Sequence, residues 1–408
     1  MLNWTNQFNI FCLLDNNQYN FSTPQFECLL AAGSIKSLQP MPGNAFKELQ
    51  DFVNEERDWI FGHLAYDLKN EVENLSSQNF DGIQFPDLFF FVPEIVLLLK
   101  KEILEIGIVN GDPDLIYQNI LSATEEQPTK KSIPVIKNRF SKVEYIETVK
   151  KIQERILRGD CYEINFCQEF YADNCEIDPL EIYLKLNLLS PNPFAGFYKL
   201  NDKFLLCSSP ERYLKKVGEK IFSQPIKGTS KRNLENATED ERNKRDLSIN
   251  KKEISENVMV VDLVRNDLSK VCIEGSVKVD ELFGLYTFPQ VHQMISTITG
   301  VLEEQSTVAD ILRATFPMGS MTGVPKKNVM LLIDEYEKTK RGLFSGAIGY
   351  INPDGDFDFN VVIRSLLYNS TNKYVSVQAG SAITFYSDAE KEYEECLVKM
   401  EAMKKVLE

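Results

Sequence analysis

Three segments between residues 194 and 226 read as strands: FAGFYKL (194–200), KFLLCSS (203–209) and KIFSQPI (220–226). They follow one another with no helix between them. Runs rich in aromatic and branched apolar residues, bounded by turn residues, carry the strand signature. A chain that groups its strands in this way, rather than alternating them with helices, points to an α+β fold with antiparallel sheets, not a doubly wound one.

The rest of the chain fits that grouping. NIFCLLDN (9–16) reads as a buried strand, and DLFFFVPEIVLLLKKEILEIGIV (87–109) as two or three in antiparallel order. Further strands are expected at 343–351, 358–368 and 373–379. Helical spacing appears over 45–56, over about 179–190 and over about 388–407. SKVEYIETVKKIQERILRGD (141–160) opens with a capping-box spacing, Ser141 to Glu144, and ends at Gly159. Its apolar stripe is Val143, Ile146, Val149, Ile152 and Ile156. TEDERNKRDLSINKKE (238–253) reads as a solvated charged helix or loop, and ISENVMVVDLVRNDL (254–268) as a helix with a buried upper part. EEQPTKKSIPV (125–135), polar with two prolines, is the linker candidate. It divides an N-terminal α/β region, residues 1–130, from a larger C-terminal domain, residues 140–408.

Charge narrows the function classes. Lysine and arginine number 45 against 60 acids, a net charge of −15. Such a chain is not expected to bind nucleic acid, and an anionic substrate would need a local cation or a metal. The longest apolar stretches, 88–99 and 258–264, are too short or too interrupted to cross a bilayer. Eight cysteines without a CxxC pair, and an N-terminus without a basic start and clean apolar run, lead to the expectation of a cytoplasmic protein with reduced thiols and no membrane partner.

Several residues could carry chemistry. Glu253 and Glu256 stand three apart, as do Glu392 and Glu395, so each pair shares a helix face. The first pair leads into Val260, Leu263 and Val264. Carboxylates leading into a buried stripe need a partner, and a hard cation such as Mg²⁺ would be one. The other reading is an exposed helix with ordinary pairs such as Glu395–Lys399. Histidine is confined to His63 and His292; His292, in FPQVHQMIS, is either a satisfied core histidine or a catalyst. Glu211, in CSSPERYLK, is a loop acid or a general acid. Arg364, in the apolar strand FNVVIRSLLY, needs a carboxylate from the protein or from a substrate. QAGSAI (378–383) offers Gly380 and backbone N–H groups to an anion, or is a turn. Lys227, in SQPIKGTS, is a surface lysine at a strand end or an amine held ready to attack.

Taken together these stretches resemble the chorismate-utilising enzymes, the family of anthranilate synthase large subunits, isochorismate and salicylate synthases and component I of aminodeoxychorismate synthase. The resemblance covers about 140–408 and rests on GDCYEINFCQEF, SSPERYL, PIKGTSKR, ENVMVVDLVRNDLSKV, VHQMISTITG, FPMGSMTGVPK, RGLFSGAIGYI, FNVVIRS, QAGSAI and EYEECLVK. The N-terminal part matches mainly through GHLAYDLKNEVE (62–73).

The resemblance implies two facing antiparallel sheets with outer helices, the N-terminal part packing on the core. It implies Mg²⁺ held by Glu256 and Glu395, supported by Glu253 and Glu392. Arg364, Gly380 and Lys399 would bind carboxylate groups in a pocket shared with Thr229, Phe344, Ser381 and Ala382. Glu211 would protonate the departing 4-hydroxyl, and His292 would line the pocket near it. Lys227 is similar to the lysine of aminodeoxychorismate synthases that work covalently, where anthranilate synthases typically have alanine. The expected reaction joins chorismate and ammonia into 4-amino-4-deoxychorismate through a lysine intermediate, on the way to p-aminobenzoate and folate. Asn257 leans the same way.

The chain also departs from the family pattern. Glu163 stands where relatives often carry Gln, or the Lys that activates water in isochorismate and salicylate synthases; a glutamate there would manage ammonia or its proton. Phe344 stands where Tyr is frequent, and GSA replaces GAG at 380–382. LLDN (13–16) stands where tryptophan-regulated relatives have LLES, which counts against tryptophan feedback. No Cys–His glutaminase region is evident, so the resemblance implies a separate glutamine amidotransferase subunit. Two further readings stay open: an anthranilate synthase large subunit, and a non-catalytic chorismate-binding subunit.

Overall fold

The structure is a computed structural model that describes residues 1–19, 26–124, 134–288 and 291–408. Most of the linker candidate, at 125–133, lies outside the described residues.

Two antiparallel sheets face each other. The first runs Gly323–Val324, Glu163–Ala172, Tyr374–Ile383, Ser365–Asn369, Lys203–Ser209, Phe194–Leu200, Ile10–Asp15, Cys28–Ala32, Ile95–Lys100, Ile103–Ile108. The second runs Ile226–Lys231, Val291–Val301, Lys220–Gln224, Arg212–Val217, Phe357–Val361, Ala347–Ile351, Ile60–Leu64, Leu88–Val92, Lys36–Leu38. This is the α+β class that the grouped strands predict. Strands from the first 108 residues enter both sheets: Ile10–Asp15 pairs with Phe194–Leu200, and Ile60–Leu64 with Ala347–Ile351.

One core cluster joins inner residues of both sheets, among them Cys12, Leu205 and Cys207 with Phe61, Leu214, Ile221 and Phe359. A second cluster lies where helices cover the outer face of the first sheet. There Tyr145, Val149 and Ile152 meet Phe166, Val377, Cys396 and Met400. The helix Lys142–Leu157 has the capping box read from Ser141 and Glu144. Its buried stripe is Tyr145, Val149 and Ile152, while Val143 is 65% exposed. Val143 stands in the first turn, ahead of the part that packs. All eight cysteines are buried and free. Among the described residues no helix is long and apolar enough to cross a membrane.

Three strand expectations change in three dimensions. The segment 87–109 makes three strands, but Leu88–Val92 belongs to the second sheet and the hairpin Ile95–Lys100/Ile103–Ile108 to the first. The expected strand 358–368 is likewise two strands, Phe357–Val361 and Ser365–Asn369, in different sheets. The expected strand 343–351 begins at Ala347. A period-two pattern marks extended chain, but it does not say which sheet the chain joins.

Candidate active site

Two chain crossings between the sheets meet side by side. Ser209, Pro210 and Glu211 link strand Lys203–Ser209 to strand Arg212–Val217 of the other sheet. Val362 to Arg364 link Phe357–Val361 to Ser365–Asn369 in the opposite sense. The crossings are tied by backbone: Val361 N–H donates to Glu211 O at 3.0 Å, and Ser208 N–H to Arg364 O at 3.3 Å. Leaving a sheet bends the backbone, and Arg364 takes φ +52°, a left-handed conformation costly for a residue with a Cβ.

Arg364 is therefore not within a strand, a correction to the sequence reading. Among the described residues no carboxylate lies within ion-pair distance of its guanidinium. Burial lowers its pKa, and the charge of Glu395 offsets this in part. Of the two partners the sequence allowed, a protein carboxylate is not found within pairing distance among the described residues.

Glu211 is buried. Burial raises its carboxyl to about 7, against the Ser320 hydroxyl, the Lys227 charge and the Ile226 backbone N–H, which lower it. A carboxyl so placed keeps a substantial acid form near neutrality and can deliver a proton.

Lys227 stands on the edge strand Ile226–Lys231, next to Gly228, which takes φ +93°. A Cβ at Gly228 would come within 3.3 Å of Glu253, so the chain turns tightly against that side chain. Lys227 is not a surface lysine: its side chain is 11% exposed. Nζ lies 3.2 Å from Glu163 Oε1 and 3.9 Å from Glu256 Oε2. Burial pulls its pKa down, but Glu163, Glu256 and Glu211 outweigh that and hold it above the ordinary lysine range. By itself the site keeps Lys227 as an ammonium.

Glu163 opens strand Glu163–Ala172, and Gly323–Val324 pairs against it. Its Oε2 accepts no hydrogen bond. Asn165, two residues on, donates from Nδ2 to Ser320 O at 3.0 Å and from its backbone N–H to Thr322 O at 2.7 Å. FPMGSMTGVPK is thereby held against this strand beside Glu211.

The glutamates of the helices Lys251–Leu268 and Ala389–Leu407 complete the cluster. Glu256 and Glu392 are buried. Burial, with the charges of Glu163 and Glu253, raises Glu256 to about 7, and Lys227 and Lys252 oppose it. Burial also raises Glu253. Glu256 Oε1 and Glu392 Oε2 accept no hydrogen bond. Lys252 Nζ is 2.8 Å from Glu392 Oε1 and 3.7 Å from Glu256 Oε1. Glu395 is 40% exposed and pairs with Lys399 at 2.7 Å; Lys399 also donates to Gly380 O at 2.7 Å. Among the described residues no three His, Cys, Asp or Glu side chains converge as a ready-made ligand set. The donor chemistry nonetheless fits a hard cation that takes one or two carboxylates and completes its shell with water and substrate oxygens. Glu256 and Glu392 each keep a buried oxygen with an unused lone pair facing this need.

The remaining candidates fall variously. Gly380 lies on strand Tyr374–Ile383 opposite Cys167. A Cβ there would stand 2.4 Å from Cys167 Sγ and 2.6 Å from Phe166 O, so glycine is needed for the strands to approach. It is a strand residue, not a turn. The Ser381 hydroxyl lies 3.3 Å from Tyr145 OH, on the helix-covered side of the sheet. Ala382 pairs with Asn165. Phe344 is buried in the inter-sheet core, and Thr229 is exposed, paired with Gln293. His292 uses both ring nitrogens within the protein: Nδ1 is 3.0 Å from Thr287 Oγ1 and Nε2 3.1 Å from Asp240 Oδ1. His63 likewise meets Tyr198 OH and Pro86 O.

Two residues of the charged segment 238–253 escaped the sequence reading. Asp240 is buried and receives Arg232 as well as His292. Lys252 joins the glutamate cluster; its signal was there, four residues before Glu256 on one helix.

Comparisons with known proteins identify the family and the fold. Residues 12–405 match the family model described as chorismate binding enzyme. The chain is 34% identical over 349 residues to aminodeoxychorismate synthase component 1 of Escherichia coli, covering 85% of this chain and 76% of that one. It is 31% identical over 362 residues to anthranilate synthase component 1 of Thermus thermophilus, covering 86% and 77%. Among solved structures it is similar to anthranilate synthase component I from Streptococcus pneumoniae, with a TM-score of 0.79, 25% identity, and coverage of 95% and 93%. The menaquinone-specific isochorismate synthase of Escherichia coli shares the fold, with a TM-score of 0.79 at 16% identity over 100% of this chain and 91% of that one.

Proposed function

The chain belongs to the chorismate-binding enzyme family, and we propose that within it the chain aminates chorismate at C4, giving 4-amino-4-deoxychorismate with Mg²⁺ as cofactor. Ammonia would come from a separate glutamine amidotransferase subunit, and the product would serve p-aminobenzoate and folate synthesis in the cytoplasm. The observation that carries the reading is Lys227, buried among Glu163, Glu256 and Glu211 rather than on the surface. Relatives named aminodeoxychorismate synthase component 1, in Escherichia coli and others, support the choice within the family.

Substrate enters as a dianion. Arg364, lacking a carboxylate partner among the described residues, takes one carboxylate. Glu256 and Glu395 would hold the cation, with Glu253 and Glu392 in support; when bound, it neutralises the ring carboxylate. Lys227 passes a proton to Glu163, whose Oε1 lies 3.2 Å from Nζ, and attacks C2 through its amine. The N–C2 bond forms, both ring double bonds shift, from C1=C2 to C1=C6 and from C5=C6 to C4=C5, and the C4–O bond breaks. Glu211 supplies the proton with which that oxygen departs as water. Ammonia then adds at C4, both double bonds shift back, and the electrons of the N–C2 bond return to Lys227. Glu163, 3.2 Å from Lys227, holds the nucleophile across the cleft.

The test is a mass-spectrometric product assay on wild type and Lys227→Ala with chorismate, Mg²⁺ and ammonium at mildly alkaline pH. The expected result is 4-amino-4-deoxychorismate from wild type, and its loss, or diversion to 2-amino products, in the variant. Anthranilate from wild type would overturn the reading in favour of an anthranilate synthase.

A further inference from the structure

Lys252 occupies a place that the chemistry above leaves unexplained. It is four residues before Glu256 on the helix Lys251–Leu268, and its ammonium reaches across to Glu392 on the helix Ala389–Leu407. The two carboxylates come from different helices and are nearly enclosed, with side chains 7% and 2% exposed, while the Lys252 side chain is 41% exposed. The acids are fixed inside; the cation between them has a way out.

Buried like charges repel, and each pays a desolvation cost that only a close opposite charge offsets. With no divalent cation bound, something must neutralise Glu256 and Glu392. Lys252 does so from one side and Lys227 from the other, the latter 3.9 Å from Glu256 Oε2. Glu253 and Glu395 add negative charge to the surroundings of Lys252. A lysine ammonium is a compact, strongly hydrated charge on a flexible stem, suited to moving between carboxylate and water.

We propose that Lys252 is a tethered cation that competes with the divalent cation for Glu256 and Glu392, and that it swings into solvent when that cation binds. The inference rests on the metal reading given above. Lys252 thus sets the affinity of the site: the cleft stays neutralised and assembled without metal, and metal is bound more weakly than these carboxylates would otherwise allow. Affinity for a state populated only in part falls by the fraction populated.

The test is calorimetric titration of the purified full chain with Mg²⁺, and with Mn²⁺ followed by electron paramagnetic resonance, in the absence of substrate. Wild type is compared with Lys252→Met, which keeps the stem and loses the charge, and Lys252→Arg, which keeps the charge. The expected result is tighter binding by Lys252→Met, about tenfold or more, with Lys252→Arg close to wild type. Without metal, Lys252→Met should also melt lower than wild type, and gain more on adding Mg²⁺. Equal or weaker binding by Lys252→Met, with wild type binding normally, overturns the competition and leaves the metal reading standing. No binding by any of the three proteins overturns both.

Discussion

Lys227 and Glu163 meet at 3.2 Å from opposite sheets, the lysine on strand Ile226–Lys231 of the second and the glutamate on strand Glu163–Ala172 of the first. The pair is a cross-cleft tie as well as part of the proposed chemistry. Removing one member of a buried pair leaves the other charge uncompensated, at a cost of about 3–5 kcal/mol. Lys227→Met should therefore lower stability markedly, because it leaves Glu163 and Glu256 facing each other. The double variant Lys227→Met with Glu163→Gln should recover part of the loss. A denaturant double-mutant cycle measures this, and additive losses would show that the two side chains do not interact.

Arg364 predicts the opposite pattern. It has no carboxylate partner among the described residues and sits at φ +52°, where glycine is at ease. Arg364→Gly should leave the melting temperature unchanged or raised. The same change should raise KM for chorismate by roughly tenfold or more, the loss of a charge-assisted hydrogen bond worth about 1.5–3 kcal/mol. A fall in stability with KM intact would mean that Arg364 is structural.

Glu211 carries a pH signature. Burial raises its carboxyl to about 7, so the acid form that the leaving hydroxyl needs is lost as pH rises above that value. Activity should fall on the alkaline side, and Glu211→Gln should remove most of kcat, on the order of 10²–10⁴-fold, for want of a proton donor. Stability follows by linkage. The folded state keeps a proton that the unfolded chain releases from pH 4.5 upward, so this group's contribution declines between 4.5 and about 7. Glu256 titrates in the same range. The contribution of Glu211 is therefore read as the difference between wild type and Glu211→Gln, which should lose stability less steeply across that window.

Gly380 and Ser381 separate backbone from side chain. Gly380→Ala forces a Cβ against both Cys167 Sγ and Phe166 O. Overpacking of this kind costs about 1–3 kcal/mol. Pairing it with Cys167→Ala should restore little, because the carbonyl contact remains. Ser381→Ala should leave KM near wild type, since the hydroxyl meets Tyr145 on the far side of the sheet. Thermal melts and a chorismate titration read both, and a large KM change in Ser381→Ala would contradict the placement.

The α+β class, the capped helix from Ser141 and the apolar half of the helix carrying Glu256 were legible in the sequence, because caps, strand grouping and helical stripes are local regularities. So were the residue types of the site: Glu211, Lys227, Glu256 and Arg364 each stood out as a charge in company that asks for a partner. Their partners were not legible. Glu163 lies 64 residues from Lys227 in the chain, and Lys252 lies 140 from Glu392. Periodicity reports which face of an element is apolar, not which distant element covers it. For the same reason the run 358–368 read as one strand, though it crosses between sheets at Arg364. The sequence by itself determined the element types and the stock of charges. Only the tertiary structure decided that two sheets cross at Glu211 and Arg364, and that lysines stand between the glutamates, because burial makes like charges intolerable unless the fold brings their counter-ions to them.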